Sequence, residues 1–475
     1  MSLSLQPDFM PMAELPSCAF AQETFLEGLQ QAEQGDIVAA EACFRAAVQQ
    51  DPALSEAWSN LAWVLSYQKT FDAAEACYRR ALALNPDHAQ THLNFGSMLF
   101  AAKRFLEAEK SYRRAVHLSP LSAPAWNNLG VLLATLKREG EAECCYRHAL
   151  KLLPAYAKAT FNLSYLLLRQ GRFEEGWKSL EARDWIQAPV GSAHQSRWQG
   201  ESVIGKSVLV CAEGGYGDVI QFCRFAPLLK RQGCSRVGIY CPPALEGLLK
   251  TLNGVDDIIA WGASSDFSGW DFWTPMFSIP HFLGTRLDTI PASLPYLFAD
   301  PERCDRWKKD LRADCLKIGL AWKGSPLCRH DAERSLPDLS VLSPLWGLSG
   351  IQFVSLQQGS KFSTPPQVSD IRQECLDWGH HIHDFADTAA MVACLDLLIS
   401  VDTAAAHVAG ALGKPVWLML SDYMTDWRWL TDRSDSPWYP GSFRLFRQPG
   451  AGDWDSVVSD LSSALKSDLQ TCDHM

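Results

Sequence analysis

The chain has 475 residues, which at ~150 residues per compact unit allows about three such units. A hydrophobic content of 47% with 20% charged residues excludes a disordered chain. The net charge of -11 argues against general nucleic-acid binding, which needs a basic surface, but leaves room for a local basic pocket around an anionic ligand.

The segment "MSLSLQPDFMPMAELPSCAF" has no Lys or Arg, and the first basic residue is Arg45. It lacks the basic start and apolar centre of a secretory signal. No apolar run approaches the ~18 residues of a membrane span. The 15 cysteines are scattered and form no CxxC, so the expectation is a cytoplasmic protein with reduced thiols.

From residue 21 onward the sequence repeats. Pro52, Pro86, Pro120 and Pro154 stand 34 residues apart. Ala40, Ala74, Ala108 and Ala142 keep the same register, as do Phe44, Tyr78, Tyr112 and Tyr146, and Ala47, Ala81, Ala115 and Ala149. Cys43, Cys77 and Cys145 share one repeat position and are expected to be small packing residues, not metal ligands. A 34-residue period with small residues at the helix crossing and a closing Pro resembles the tetratricopeptide repeat, on Trp58, Leu61, Ala74, Tyr78, Ala81, Pro86 and their equivalents. The resemblance implies an all-α solenoid over residues 21–190, with four full repeats and a fifth that degrades after "GRFEEGW". Stacked helix pairs of this kind leave a concave groove.

Asn60, Asn94, Asn128 and Asn162 form a further row at the same spacing, on the first helix of each repeat. A primary amide both donates and accepts, so a line of them can hold an extended peptide of any sequence. The row resembles the asparagine ladder of O-linked N-acetylglucosamine transferases, which implies a protein or peptide partner. The competing reading is that Asn is simply a frequent consensus residue at this position.

After "QAPVGSAHQSRWQGES" the pattern changes to strands alternating with helices. "SVLVCAE", "GGYGD", "VIQFCRFAPLLKRQG" and "RVGIYCP" read as strand, Gly-rich turn, helix and strand. A second series starts at Leu316 with "LKIGLAWKGS", "IQFVSLQQ", "AMVACLDLLISVD" and "KPVWLML". Two such series predict two doubly wound halves with a cleft between them, over residues 191–305 and 306–475. The tail "DWDSVVSDLSSALKSDL" has helical apolar spacing and is expected to pack on one half.

"GGYGDVIQ" and "SVDTAAAHVAGALGKP", one in each half, resemble the heptosyltransferase family of GT-B glycosyltransferases, and "DWRWLTDRSDSPWYP" is similar to bacterial proteins that join repeats to such a transferase. The resemblance implies an inverting glycosyltransferase that uses a nucleotide sugar, needs no metal or other cofactor, and acts on a protein presented by the repeats. Two other readings stay open. One is a saccharide or lipopolysaccharide acceptor, and the other a repeat scaffold whose transferase half has lost activity.

Sugar transfer needs a base for the acceptor hydroxyl and positive charge for the departing diphosphate. Asp218, on the Gly-rich turn, is where the family places its catalytic aspartate, with a helix cap as its alternative role and Glu213 as the alternative carboxylate. In the second half Asp402 and Thr403 end a strand and can cap the helix that follows. Its first N–H groups attract anions, and Ala404 leaves room for a phosphate. The family resemblance implies that these three residues line the donor. Lys323, at a strand end, is the expected phosphate contact. Arg334 is a second, with Arg329 as its substitute. His407 lies one turn after Thr403 and faces either donor or core. Gln357 ends another strand and is placed near the ribose or base; His383 and Asp384 are placed near the base pocket, with polar loop residues as their equal alternative reading. Asp453 and Asp455 form a DxD, but precede a helix, where Asp is a favoured cap, so no metal is expected there.

Overall fold

The computed structural model describes residues 19–186, 195–263, 267–326, 328, 331–358 and 375–472. They divide into two compact units, Met1–Leu166 and Leu167–Met475.

The first unit is a stack of antiparallel helix pairs: Ala19–Glu33 with Ile37–Gln50, Ser55–Tyr67 with Phe71–Leu84, Ala89–Ala101 with Phe105–Leu118, and Ala123–Thr135 with Glu139–Leu152. A fifth first-helix, Ala157–Arg169, crosses the boundary between the units, and its partner Phe173–Leu180 has only 8 residues. The rows read from the sequence form the core. Ala40, Ala74, Ala108 and Ala142 are fully buried, and Phe44, Tyr78, Tyr112 and Tyr146 are at most 1% exposed. Burying one such ring is worth roughly 1.5–3 kcal/mol. Small residues face the rings: a Cβ on Gly28, Gly96 or Gly130 would lie 2.7 Å from the ring of Phe44, Tyr112 or Tyr146. Cys77 and Cys145 are buried and Cys43 half-buried, which makes this row a packing row.

One row had no sequence signal. The turn inside each pair needs a left-handed residue, and Gly35, Lys69, Lys103, Lys137 and Gly171 supply it with φ of 81°, 62°, 59°, 60° and 74°. Three of the five are lysines, which adopt this conformation less readily than glycine.

The second unit contains two all-parallel sheets. The first is built from β1 (Ser196–Arg197), β2 (Ser207–Cys211), β3 (Arg236–Cys241), β4 (Asp257–Ala260) and β5 (Phe272–Pro275), in the order β1-β5-β2-β3-β4. The second comprises β6 (Leu316–Ala321), β7 (Ile351–Ser355), β8 (Cys375–Asp377), β9 (Leu397–Val401), β10 (Val416–Leu420) and β11 (Phe443–Arg447), in the order β11-β10-β9-β6-β7-β8. Both are wound outward in two directions, the second from β6 to β8 and then from β9 to β11. β2, β7, β9 and β10 are buried along their whole length, as expected when helices cover both faces. Ser196–Arg197, inside the polar stretch that precedes the first strand read from the sequence, pairs with β5.

The tail helix Trp454–Cys472 closes the second sheet. Trp454, Val457, Val458, Leu461 and Leu465 pack with Ile318, Leu320, Phe353 and Ile399. Asp453 caps it, accepting from the N–H and hydroxyl of Ser456 at 3.1 and 2.8 Å, so one carboxylate of the DxD is committed to the helix.

Candidate functional site

In a doubly wound sheet, ligands bind at the carboxyl edge where the winding reverses, because the loops there diverge and leave a crevice. In the second sheet this point lies between β6 and β9. The chain leaves β6 as Trp322-Lys323-Gly324 and leaves β9 as Asp402-Thr403. In the first sheet it lies between β2 and β5, and the chain leaves β2 as "AEGGYGD". Asp218, Lys323, Asp402 and Thr403 thus emerge at the two switch points.

Asp218 is the third residue of the helix Tyr216–Phe222, not its cap; that position belongs to Gly215. Its Oδ2 reaches back to accept from the Gly215 N–H at 2.6 Å. Gly214 makes this possible, with φ +78° and an ideal Cβ only 2.5 Å from Asp218 Oδ2. The other oxygen, Oδ1, is ion-paired with Arg428. Burial is the largest effect on the Asp218 carboxyl and pushes its pKa up, against the opposing pull of Arg428. Glu213, the alternative carboxylate, is fully engaged. Arg183 donates to both its oxygens at 2.9 and 2.8 Å, and Trp185 Nε1–H and the Phe277 N–H complete its shell.

Across from this turn stands the helix Ala404–Ala411. Gly217 lies so close to it that a Cβ would sit 2.7 Å from His407 Cδ2. Neither expected cap operates. Thr403 occupies the cap position, but its hydroxyl bonds Ser400 Oγ at 2.9 Å. Asp402 Oδ2 accepts from Trp429 Nε1–H at 2.9 Å. The first N–H groups of this helix therefore have no side-chain cap. Burial and the neighbouring Asp426 push the Asp402 carboxyl up to about 6. His407 is 4% exposed, bonds Tyr439 Oη through Nδ1 at 2.8 Å, and stacks on Trp429. Burial, reinforced by Arg428 and Arg224, pushes its pKa well down, and its Nε2 lies 3.8 Å from Asp402 Oδ1.

At the end of β6, Lys323 is exposed, and among the described residues its ammonium has no ion-pair partner. Its backbone N–H, with that of Trp322, donates to Gln357 Oε1 at 2.9 and 3.2 Å. Gln357 thus shapes the Lys323 turn instead of reaching outward. Arg334 lies over the same turn: an ideal Cβ on Gly324 would be 2.2 Å from its Nη2, so only glycine admits the guanidinium there. Asp331 holds it at 3.1 Å, and Asp402 is near enough to stabilise its charge. Arg329 lies outside the described residues. Asp384 caps the helix Phe385–Ala393 and pairs with Arg303 at 2.7 Å, while His383 is exposed beside it.

The segment Asp426–Trp429 ties the two aspartates together. Arg428 pairs with Asp218 and with Asp426, donates to Gln221 Oε1, and lies over the Trp427 ring at 4.9 Å. Its neighbour Trp429 holds Asp402. Met424 and Leu430, with φ of 50° and 52°, bracket the segment in left-handed conformations. Sequence reasoning singled out this stretch but no residue in it. The signal available was an Asp-Trp-Arg-Trp cluster after a strand. A cavity of about 420 Å³ lined by Arg169, Leu287, Leu430, Arg433 and Asp435 includes none of the candidate residues.

In the first unit the asparagine row is partly self-satisfied. Asn60 is buried and donates to the Glu56 carbonyl at 3.0 Å. Asn162 donates to Asn127 at 2.9 Å, Asn128 accepts from Asn127 at 3.2 Å, and Asn94 accepts from Gln90 at 2.9 Å. Asn94, Asn128 and Asn162 are half-buried.

The Tetratricopeptide repeat family model matches residues 25–89, 60–123 and 93–143. Protein FlbA of Caulobacter vibrioides is 27% identical over 334 residues, taking in 63% of this chain and 53% of that protein. The chain thus spans about half the length of the curated relative it matches, and the match, longer than Met1–Leu166, runs on into the second unit. Among solved structures, PilF of Pseudomonas aeruginosa is similar at 22% identity, covering 35% of this chain and 78% of that one with a TM-score of 0.33. PilW, a type IV pilus biogenesis factor, is similar at 22% identity, covering 36% of this chain and 81% of that one with a TM-score of 0.34. No helix among the described residues is long and apolar enough to cross a membrane. The N-terminal region is a tetratricopeptide-repeat solenoid, a fold suited to scaffolding or protein interaction, and a parallel-sheet α/β region follows it.

Proposed function

We propose that the α/β region is an inverting, metal-independent glycosyltransferase of GT-B architecture, resembling the heptosyltransferases, and that the repeats capture its protein acceptor. The observation that carries this reading is the meeting of Asp218, from one switch point, with Asp402 and the uncapped helix start, from the other, through the Asp426–Trp429 segment. In the proposed reaction an acceptor hydroxyl attacks the anomeric carbon of a nucleotide sugar and gives its proton to Asp218. The bond to the diphosphate breaks, and the electron pair leaves with it. Lys323, Arg334 and the N–H groups from Ala404 would neutralise the departing charge. Glu213 is a poor second choice for the base because Arg183 already holds both its oxygens.

One observation favours the scaffold reading: Arg428 occupies the carboxylate that would act as base. The two separate in a panel of nucleoside diphosphates and nucleotide sugars. Binding at 100 times Kd adds ~2.7 kcal/mol of stability, which raises the melting temperature measurably. If no member of the panel shifts the melting of the α/β unit, the enzyme reading falls. Capture of the acceptor has its own test, since Asn94→Ala with Asn128→Ala should weaken it by about tenfold if the ladder holds peptide.

A further inference from the structure

Arg428 is a buried cation whose three nitrogens serve three different groups. Nε donates to Gln221, Nη1 pairs with Asp426 at 2.8 Å, and Nη2 pairs with Asp218. Its side chain is 8% exposed, against 24% for Asp218 and 26% for Asp426, so the cluster meets solvent at its two carboxylates, and Asp218 is the one that lies on the Gly-rich turn. The next residue, Trp429, holds Asp402, which brings Arg428 close enough to act on that carboxyl as well. A second buried cation, Arg224, donates to the carbonyls of Gln221, Pro291 and Trp438 and to Tyr296 Oη; none of these is a carboxylate. Buried charges are normally paired with opposite ones. Arg224 therefore adds a positive field that no bonded acid cancels, and an arriving anion is attracted by it.

We propose that Arg428 is an exchangeable counter-ion: its Nη2 edge holds Asp218 in the substrate-free protein and passes to the diphosphate of a bound nucleotide, which frees Asp218 for the acceptor. This inference rests on the transferase reading above. Asp426 and Gln221 keep the other two nitrogens throughout, so only one edge changes partner. An Arg edge fits phosphate as well as carboxylate oxygens, and the exchange conserves ionic hydrogen bonds. Exchange would also couple the two substrates, because the base becomes available only once the donor is seated.

The test is a double-mutant cycle on the full chain, with UDP, ADP and GDP as probes and affinity read by calorimetry. Arg428→Gln should weaken binding of the preferred diphosphate by about tenfold to hundredfold. Asp218→Asn should tighten it by about threefold or more, because the competing acceptor has become neutral, and this gain should vanish in the Arg428→Gln background. Equal tightening in both backgrounds would mean simple charge repulsion by Asp218 and would overturn the exchange. So would unchanged affinity in Arg428→Gln, while leaving the transferase reading intact. If Arg428→Gln does not fold, as judged by its melting curve, Arg428→Lys completes the cycle, with intermediate affinity expected and wild-type affinity overturning the proposal. Absence of binding to the wild-type protein removes both this inference and the function it rests on.

Discussion

The two units solve the problem of burying a chain in opposite ways. In the repeats each contact recurs every 34 residues, so Tyr112 meets Gly96 and Tyr146 meets Gly130 by one rule. In the α/β unit the decisive pair, Asp218 and Arg428, lies 210 residues apart and occurs once. Local, repeated contacts make a unit tolerant, because damage stays within neighbouring pairs. A site assembled once has no such redundancy.

The sharpest break of this comparison is Asp218→Asn. On the transferase reading proposed above, removing a general base costs about 10² to 10⁴ in rate, so turnover of a nucleotide sugar should fall by that factor while the melting of the repeats stays unchanged. A fall below tenfold would remove Asp218 as the base. Next is Gly130→Val, which drives a side chain into the Tyr146 ring. It should destabilise the repeats by ~1–3 kcal/mol, seen in hydrogen exchange of the flanking helices, and leave diphosphate affinity in the α/β unit unaltered. Loss of that affinity would show that the units are not independent.

Acid should affect the two units with opposite sign. Arg104 and Arg79 hold Glu75 down at about 2, below its ordinary 4.5, so its contribution to the repeats is present above pH 4.5 and is lost as pH falls toward 2. Asp402 titrates near 6, above its ordinary 3.8, so the α/β unit gains stability from it as pH falls from about 6 toward 4. Unit-resolved hydrogen exchange at pH 4 and pH 6.5 checks the second sign, and acid unfolding of the repeats checks the first. The smallest effect concerns the left-handed row. Lys137→Gly should stabilise the repeats by about 0.5–1 kcal/mol, because the strain of a lysine at φ 60° outweighs the extra freedom of glycine in the unfolded chain.

Much of the fold was legible. The 34-residue rows identified the helix pairs and their buried faces, since period and burial are one fact in a solenoid. Apolar runs gave β2, β3, β6, β7, β9 and β10, which are central or long enough to show. The missed strands β1, β4, β5, β8 and β11 are short, at an edge, or carry charge, as in "FRLFR". For the site, the sequence placed Asp218 on the Gly-rich turn after β2 and Lys323, Asp402 and Thr403 at strand ends, but it did not give the partners of several side chains. His407, Gln357 and Glu213 turn inward to partners whose positions no local pattern records.

The sequence by itself determined the repeat period, the alternation of strands and helices, and the glycine at 214 that the left-handed turn requires. Each depends on contacts between near neighbours, or on the demands of one backbone position. Only the tertiary structure decided that Arg428 would answer Asp218, that Trp429 would answer Asp402, and that the helix after Thr403 would be left uncapped. Those outcomes depend on how two sheets, wound separately, bring their carboxyl edges together, and no period in the chain encodes that meeting.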